Sequence, residues 1–207
     1  MVPLGVLVAF SRPHTIMGTF LAVPAISRYV GGGYSFGALP AALSANVFVT
    51  GLNQMADIDV DKLNKPNLPL ASGAMTVTEA RNVVAVAGAV ALASSSFSPF
   101  LSLTCTSSMA LGALYSVGPM RLKRFPPLAA LSIVLVRGVV INVGFASHAL
   151  NKLTIPTGPV TFFSTLGLAI ALLKDVPDYR GDRITGTPSF AIRHGRAPVV
   201  LVSSILV

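Results

Sequence analysis

The sequence predicts an all-α protein built as a bundle of several transmembrane helices. Apolar residues make up 53% of the 207 residues and charged residues only 11%, whereas a soluble domain carries about 25% charged residues. The mean hydropathy is +0.74. Residues 29–56 and 82–120 contain no charge, and about 20 apolar residues are enough to cross a bilayer as a helix.

Six membrane spans and the start of a seventh follow from this pattern. Glycines 31–33 form a turn between the first two spans, and a Ser/Pro-containing break at 94–99 separates the third from the fourth. The predicted spans are residues 15–29, 36–56, 82–95, 101–117, 127–150 and 160–173, with the seventh beginning at residue 197.

The basic residues support this number of crossings. With six crossings, the N-terminus and the loops after spans two, four and six lie on one side of the membrane. Of the 15 Lys and Arg residues, 12 fall on that side, two fall on the other, and Arg137 lies within the fifth span. This is the positive-inside bias. The net charge of +8 therefore indicates topology and anion binding, and no nucleic-acid partner is expected.

The ends of the chain and its cysteine content carry further expectations. No cleavable signal and no Arg/Ser-rich transit segment opens the sequence. Residues 198–207 form an apolar run without a closing charge, long enough to cross only about half of the hydrocarbon core. We therefore expect residues 1–207 to form one transmembrane domain that is incomplete at its C-terminus. The single Cys105 excludes an intramolecular disulfide.

Six of the seven acidic residues fall into two groups, both at span ends on the basic side. Asn53, Asp57 and Asp61 are spaced four residues apart, so on a continuous helix they share one face. Asp59 is offset from Asp57 by about 200° and is not expected to be a direct ligand.

The second group, Asp175, Asp178 and Asp182, has helical spacing of three and four residues. These aspartates share one face if the helix continues past Pro177, where a short break is expected because proline is tolerated only in a first turn. Two acidic faces on the same side of the membrane predict a cation site.

The chemistry of these groups points to magnesium and a diphosphate. Grouped carboxylates at a membrane edge repel one another, and bound divalent cations relieve that repulsion. Mg²⁺ typically takes one or two carboxylates plus substrate phosphates, and cationic side chains stabilise a diphosphate leaving group. The basic residues expected to complete this anion site are Lys62, Lys65, Arg121, Lys123, Arg124 and Lys174. The alternative is that the aspartates cap helices and pair with lysines in water.

Both acidic segments resemble motifs of a known family. Residues 51–61 resemble the NxxxDxxxD motif of the UbiA superfamily of membrane prenyltransferases, and residues 174–182 resemble its second aspartate motif. A finer resemblance is to plastid homogentisate prenyltransferases. The segments that carry it are Ser11-Arg12-Pro13-His14-Thr15, Asn64-Lys65-Pro66, Leu70-Ala71-Ser72-Gly73, Tyr115-Ser116, Arg121-Leu122-Lys123-Arg124, Val136-Arg137-Gly138 and Asn142.

The resemblance implies a nine-helix bundle with its site in a central cavity, to which this chain would supply six helices and part of a seventh. It implies an integral protein of a plastid membrane, in contact with membrane lipid, that transfers a polyprenyl group from its diphosphate to an aromatic acceptor. The implied acceptor is homogentisate, which loses CO2 on the way to plastoquinone or tocopherol. Segments 115–124 and 137–142 look more like the solanesyl branch, and residues 68–73 fit the phytyl branch as well. The oligomeric state stays open.

The expected site residues follow from the motifs and this resemblance together. The expected magnesium ligands are Asn53, Asp57, Asp61, Asp175, Asp178 and Asp182. The expected catalytic residues are Asp57, Asp61, Asp178, Asp182 and Arg137. The expected substrate-binding residues are Arg12, Asn53, Lys65, Tyr115, Arg121, Lys123, Arg124, Asn142 and Lys174.

Two residues of the fifth span leave alternatives open. A charge in mid-membrane costs about 2.5–3.5 kcal/mol on insertion scales, so Arg137 is expected to face the bundle interior. It binds the diphosphate or the acceptor carboxylate, or else it pairs with an aspartate and only fixes packing. Asn142 either hydrogen-bonds the acceptor or joins neighbouring helices.

Two other classes of protein remain as rivals. A CDP-alcohol phosphotransferase also uses paired aspartates on a phosphoryl group, but that family keeps its acids in one compact motif. A cation transporter would place its acids near mid-membrane, whereas these acids lie at span ends. Both features favour the prenyltransferase.

Overall fold

The computed structural model describes residues 2–119 and 121–206, and this part of the chain is helical with no strand. Short 3-10 turns occur at Phe36–Ala38 and Leu122–Arg124, and a π-helical segment at Leu135–Val140. The α-helices are α1 (Leu4–Phe10), α2 (Pro13–Tyr29), α3 (Leu39–Ala56), α4 (Ile58–Asn64), α5 (Val77–Ser95), α6 (Pro99–Ser116), α7 (Pro126–Val134), α8 (Ile141–Leu150), α9 (Thr157–Leu173), α10 (Asp175–Thr185), α11 (Phe190–His194) and α12 (Arg196–Leu206).

Helices occupy all the predicted spans, so the all-α prediction is confirmed. By length and composition, three helical stretches qualify to cross a membrane alone, namely Phe36–Ala56, Val77–Ser95 and Pro126–Leu150. Two bent pairs qualify when each is taken as one span: α1 with α2, bent by 67°, and α9 with α10, bent by 41°. The seventh predicted span corresponds to α12, a shorter apolar helix.

The third span begins five residues earlier than the prediction of residue 82, because a capping box fixes its start. The Thr76 hydroxyl accepts a hydrogen bond from the Glu79 backbone N–H, while the Glu79 carboxylate accepts one from the Thr76 backbone N–H. This reciprocal pair satisfies two of the N–H groups that a helix start leaves without partners. The only acid outside the two aspartate groups is thereby explained.

The core is centred on α3, which packs against α2, α5 and α6. Its alanines 41, 42 and 45 are buried together with Val23, Leu101 and Phe145. Small residues let helix backbones approach closely in a bilayer, where packing rather than water exclusion holds helices together. Gly144 of α8 illustrates this, since a side chain there would overlap Thr104 of α6.

The fifth span is one helix in three parts, α7, the π-helical segment and α8. Its π-helical segment includes Arg137. The side-chain amide of Asn142 donates to the backbone carbonyls of Arg137 at 2.7 Å and Gly138 at 2.8 Å. Single-turn π bulges are rare and often mark functional positions. Asn142 therefore stabilises the widened turn that carries Arg137.

The fold predicts which loops share a membrane face. Cysteines placed at the exposed positions Asn67, Gly118 and Gly186 should react with an impermeant maleimide from one side, and cysteines at Gly33 and Lys152 from the other. The native Cys105 is buried and supplies little background. Labelling of positions 67 and 186 from opposite sides would contradict this topology.

Candidate metal–diphosphate site

The two aspartate helices meet at one end of the bundle, where α4 packs against α10. The Lys65 ammonium joins them, lying 2.5 Å from Asp178 Oδ2 and 3.8 Å from Asp61 Oδ1. Asp61 is buried and Asp178 only slightly exposed. Segments more than 100 residues apart in the sequence thus bring their carboxylates to a single place.

Asp57 lies at a break between α3 and α4, with φ −116° and ψ 12°. The expectation of one continuous helix through this motif was therefore wrong at this residue. The cause is tertiary: Arg121 donates to the Ala56 carbonyl, which the end of α3 releases, and to Asp57 Oδ1 at 2.7 Å. Lys123 contacts the same oxygen. Asp61 N still donates to Asp57 O at 2.7 Å, so the turn between the two aspartates is kept.

The second motif begins directly after a bend. Between α9 and α10 the chain turns by 41° at Lys174, and Pro177 falls in the first turn of α10, which confirms the predicted short break. Asp175 is buried, accepts from Lys174 Nζ at 2.5 Å and from the Phe190 backbone N–H at 3.4 Å. Both of its oxygens are therefore engaged by the protein, and Asp182 on the same helix is also buried.

Burial sets the electrostatics of this end of the bundle. Burial raises the pKa of Asp61, and Lys65 and Arg12 only partly oppose this, since Asp178 adds to it. Burial also lowers the pKa of Lys123 to about 8, with Lys174 acting in the same direction. Charges removed from water in this way need partners. A cation near the carboxylates and an anion near the lysines would both be stabilised here.

A cavity of about 370 Å³ runs into the membrane region. It is lined by α2, α3, α6, the fifth span and α9, mostly with apolar side chains. Polar groups in its wall include Thr15 and Thr19, held together by the Asn46 amide, which donates to the Thr19 hydroxyl at 2.7 Å. Arg137 also lines the cavity, and within residues 2–119 and 121–206 it makes no ion pair.

Comparison with known proteins identifies the family to which this chain belongs. Residues 13–207 match the model of the UbiA prenyltransferase family. The chain belongs to that family.

Among curated relatives, a homogentisate phytyltransferase from Synechocystis is 40% identical over 95% of this chain and 70% of its own length. The homogentisate solanesyltransferase of Arabidopsis thaliana is 36% identical over 94% of this chain and 56% of its own length. The chain thus spans about half the length of the plant relatives it matches.

Solved structures share the fold at low sequence identity. A UbiA homolog from Archaeoglobus fulgidus, solved with GPP and Mg²⁺, superposes with a TM-score of 0.80 at 19% identity, covering 97% of this chain and 73% of that one. An apo UbiA homolog from Aeropyrum pernix gives a TM-score of 0.72 at 21% identity, covering 92% and 76%. The predicted UbiA-like helix bundle is therefore confirmed.

Within this UbiA fold, the structure gathers most of the expected residues at the mouth of the bundle. Arg12 lies near Asp61 and Asp178 and interacts electrostatically with both. Lys174 lies near Tyr115 and Asp182. Arg124 is exposed near Arg121. Asn53 lies on α3, one turn before Asp57. Arg137 and Asn142 are separate from this group, deeper along the fifth span.

Two sets of polar residues escaped the sequence analysis. The Thr15–Asn46–Thr19 group lines the cavity, and its signal was polar side chains within otherwise apolar spans. Asn64 was noted only as part of a motif, yet its Oδ1 accepts a hydrogen bond from the Gly181 backbone N–H at 3.1 Å. No local pattern marks that contact.

The donors at the mouth fit a bound anion. Four buried side-chain atoms at this end have no hydrogen-bond partner among the described residues: Arg12 Nε, Asn64 Nδ2, Ser116 Oγ and Arg121 Nε. Buried polar groups are normally hydrogen-bonded. In the same part of the chain, no three His, Cys, Asp or Glu side chains could hold a metal ion by themselves. This suits Mg²⁺, which usually completes its shell with substrate phosphates and water.

This geometry predicts that Lys123 contributes to anion binding. Mg²⁺ with inorganic diphosphate should raise the melting temperature of the wild-type chain, because ligands that bind only the folded state stabilise it. Lys123→Met should lose most of that increase, since it removes a partly buried ammonium beside Asp57. Lys152→Met, on the opposite face, is the control. Equal increases in both variants would exclude Lys123 from the site.

Proposed function

We propose that this protein is a Mg²⁺-dependent aromatic prenyltransferase. It transfers a polyprenyl group from its diphosphate to homogentisate, with loss of CO2. The observation that carries the proposal is the convergence of α4 and α10, which places two aspartate motifs and their Lys and Arg partners at the mouth of an apolar cavity. Membership of the UbiA family does not fit the two rivals, a CDP-alcohol phosphotransferase and a cation transporter.

The residues at the mouth have a consistent division of roles in this proposal. Asn53, Asp57, Asp61, Asp178 and Asp182 are the residues that would hold Mg²⁺, which would supply charge neutralisation of the diphosphate leaving group. Asp175 belongs to the same acidic face, and its contacts with Lys174 and Phe190 N favour a supporting role in orienting Lys174. The cationic and polar groups that bind the diphosphate oxygens are Arg12, Lys65, Tyr115, Arg121, Lys123, Arg124 and Lys174.

The transfer then needs only positioning and charge stabilisation. The C–O bond of the allylic diphosphate breaks, and the diphosphate leaves with the electron pair towards the basic residues. The electron-rich ring attacks the allylic carbon and loses a proton from the ring position that forms the new bond. The acetate side chain of homogentisate loses CO2, and its methylene carbon takes up a proton to become a methyl group. Apolar walls of the cavity exclude water, which would otherwise capture the cation.

Arg137 is proposed to bind the carboxylate of the acceptor rather than the diphosphate. It lies eleven residues after Pro126, where α7 begins beside the basic turn Leu122–Arg124, and so about 15 Å deeper at about 1.5 Å per residue. Helical side chains tilt towards the N-terminus, which closes this gap only in part. A cation without an ion pair at that depth suits a small organic anion beneath the diphosphate.

Two finer assignments belong to the same proposal. Residues 1–207 belong to one transmembrane prenyltransferase domain, and the protein is located in a plastid membrane, as the chloroplastic names of its plant relatives suggest. Relatives named for phytyl, geranylgeranyl and solanesyl transfer match at similar identity. The assay below therefore compares prenyl diphosphates of different chain length.

The function is tested with membranes containing the full chain, labelled homogentisate, Mg²⁺ and, in parallel, phytyl, geranylgeranyl or solanesyl diphosphate. We expect a labelled, decarboxylated prenyl product with at least one donor, and none after chelation with EDTA. Asp57→Asn and Asp178→Asn should each lower the rate by at least about 100-fold, as expected when a charge-stabilising group at the reacting centre is lost.

Asp59→Asn is the matched control, because the Asp59 side chain is 95% exposed and pairs with the exposed Lys62. It should keep wild-type activity. Full activity of Asp57→Asn or Asp178→Asn would contradict the site, and absence of product with all three donors from the correctly inserted wild-type chain would contradict the function.

Arg137 generates a separate prediction. Arg137→Met should lower kcat/KM for homogentisate by about tenfold or more, because it removes the cation proposed to pair with the acceptor carboxylate in the cavity, while KM for the prenyl diphosphate stays unchanged. With an acceptor that lacks the carboxylate, such as methylhydroquinone, wild type and variant should react equally slowly. Arg28→Met, on the opposite face, is the control. A raised KM for the diphosphate instead would assign Arg137 to the leaving group.

A further inference from the structure

Among the described residues, one neutral hydrogen bond joins the two aspartate helices. Asn64 is the last residue of α4, and its Oδ1 accepts the backbone N–H of Gly181, which lies 117 residues further along the chain in α10. Gly181 is buried and lies between Asp178 and Asp182. On the other helix, Asn64 follows Asp61 by three residues, so the contact sits within one helical turn of the carboxylates on both sides.

The backbone of α10 approaches Asn64 too closely for any side chain at position 181. A Cβ built on Gly181 would overlap the Asn64 side-chain amide. The φ of Gly181 is not positive, so the glycine is required here by the close approach and not by its backbone conformation. Asn64 and Gly181 therefore fit one another as a pair.

The other link between these helices is ionic and would not survive substrate binding unchanged. Lys65 is 42% exposed, with a flexible side chain whose ammonium pairs with Asp61 and Asp178. An incoming diphosphate would compete for that ammonium, and a cation would compete for the carboxylates. The Asn64–Gly181 hydrogen bond carries no net charge, so neither competitor displaces it.

We propose that Asn64 is a positioning residue that, with Gly181, forms a neutral latch between α4 and α10. The latch fixes the spacing of Asp61 relative to Asp178 and Asp182 while their ionic partners exchange during turnover. This inference rests on the proposed prenyl transfer for its functional consequence. Asn64 acts on the aspartates through its Oδ1 contact with Gly181, whereas its Nδ2 is one of the donors at the mouth that have no partner among the described residues.

The latch predicts that the Mg²⁺ concentration needed for activity depends on Asn64, although Asn64 is not one of the proposed metal ligands. Residues that support metal ligands typically change metal affinity or activity by about 10- to 100-fold when they are replaced. Asn64→Ala should therefore raise the Mg²⁺ concentration for half-maximal activity by about tenfold or more, and lower kcat, with KM for the aromatic acceptor unchanged. Asn67→Ala, an exposed asparagine in the following loop, should behave as wild type.

Gly181→Ala supplies a second variant that tests the pairing itself. Alone, it should reproduce the Mg²⁺ defect, because its Cβ displaces the Asn64 amide. In combination with Asn64→Ala it should add little, since the small side chain at 64 makes room for it, and residues in contact are non-additive. Gly37→Ala, which meets open space, is the control. Additive defects in the double variant, or a defect confined to protein yield with a normal Mg²⁺ requirement, would overturn the latch.

A cross-link tests the geometry without activity. A Cβ on Gly181 lies against the Asn64 side chain, within reach of the Cβ–Cβ separation of about 4 Å that a disulfide needs. The pair Asn64→Cys with Gly181→Cys should form a disulfide under mild oxidation, quantified by mass spectrometry of the digested protein. Its yield should stay constant when Mg²⁺ and inorganic diphosphate are added.

The two readouts separate the latch from the proposed function. If the cysteine pair forms the disulfide but the wild-type chain shows no prenyl transfer, the latch is supported and the proposed function is contradicted. Failure of residues 64 and 181 to cross-link, while Asp57→Asn abolishes transfer, would uphold the function and remove the latch. A yield that falls sharply with Mg²⁺ and diphosphate would show that the helices separate on binding, which also overturns the latch.

Discussion

The structure depends on one electrostatic constraint, the compensation of buried carboxylates at the edge of a membrane bundle. Asp57, Asp61 and Asp178 lie largely out of water, and each is matched by a cation. The cations beside Asp57 and Asp178 come from distant parts of the chain, whereas Lys65 beside Asp61 lies four residues further on. Removing one partner of such a pair leaves an uncompensated charge, which is strongly destabilising. The cations therefore hold the mouth of the bundle together, and they are the same groups that a diphosphate would attract.

This shared use of cations links stability to substrate binding. In the structure, Lys65 ties α4 to α10 and Arg121 ties the end of α3 to the loop before α7. Binding a metal–diphosphate complex would let the carboxylates take the metal and the cations take the phosphates. The total number of opposite-charge contacts then stays high in both states, so the site can exchange partners without exposing a bare charge.

The charged and the apolar groups of the site lie at different depths along the bundle. The charged groups gather at the mouth, where water and headgroups are near, while the cavity beneath is mostly apolar. Arg137 is the exception, and the π-helical segment held by Asn142 gives it a defined place. An apolar cavity with a charged mouth and one deep cation separates the diphosphate, the isoprenoid chain and an anionic aromatic ring along a single axis.

The sequence was sufficient for the features that depend on composition along the chain and insufficient for those that depend on distant partners. Within the described residues, all six spans predicted from hydropathy and charge are helical, and five of them meet the length and composition of a membrane span when the two bent pairs are included. Such spans can be predicted because each must match the bilayer by itself. The break at Asp57 was not predicted, because it depends on Arg121, which lies 64 residues away in the sequence. Arg121 donates hydrogen bonds to both Asp57 and the Ala56 carbonyl. The Asn64–Gly181 contact was missed for the same reason. Local rules did locate the bend at Lys174, because proline marks it.

The breaks near Arg12, Asp57 and Lys174 all fall at the charged end of the bundle. There, the backbone groups that the breaks release can reach side chains or water rather than lipid. The interruptions thus coincide with the charged groups of the mouth, at an end of the bundle that accommodates them at low cost.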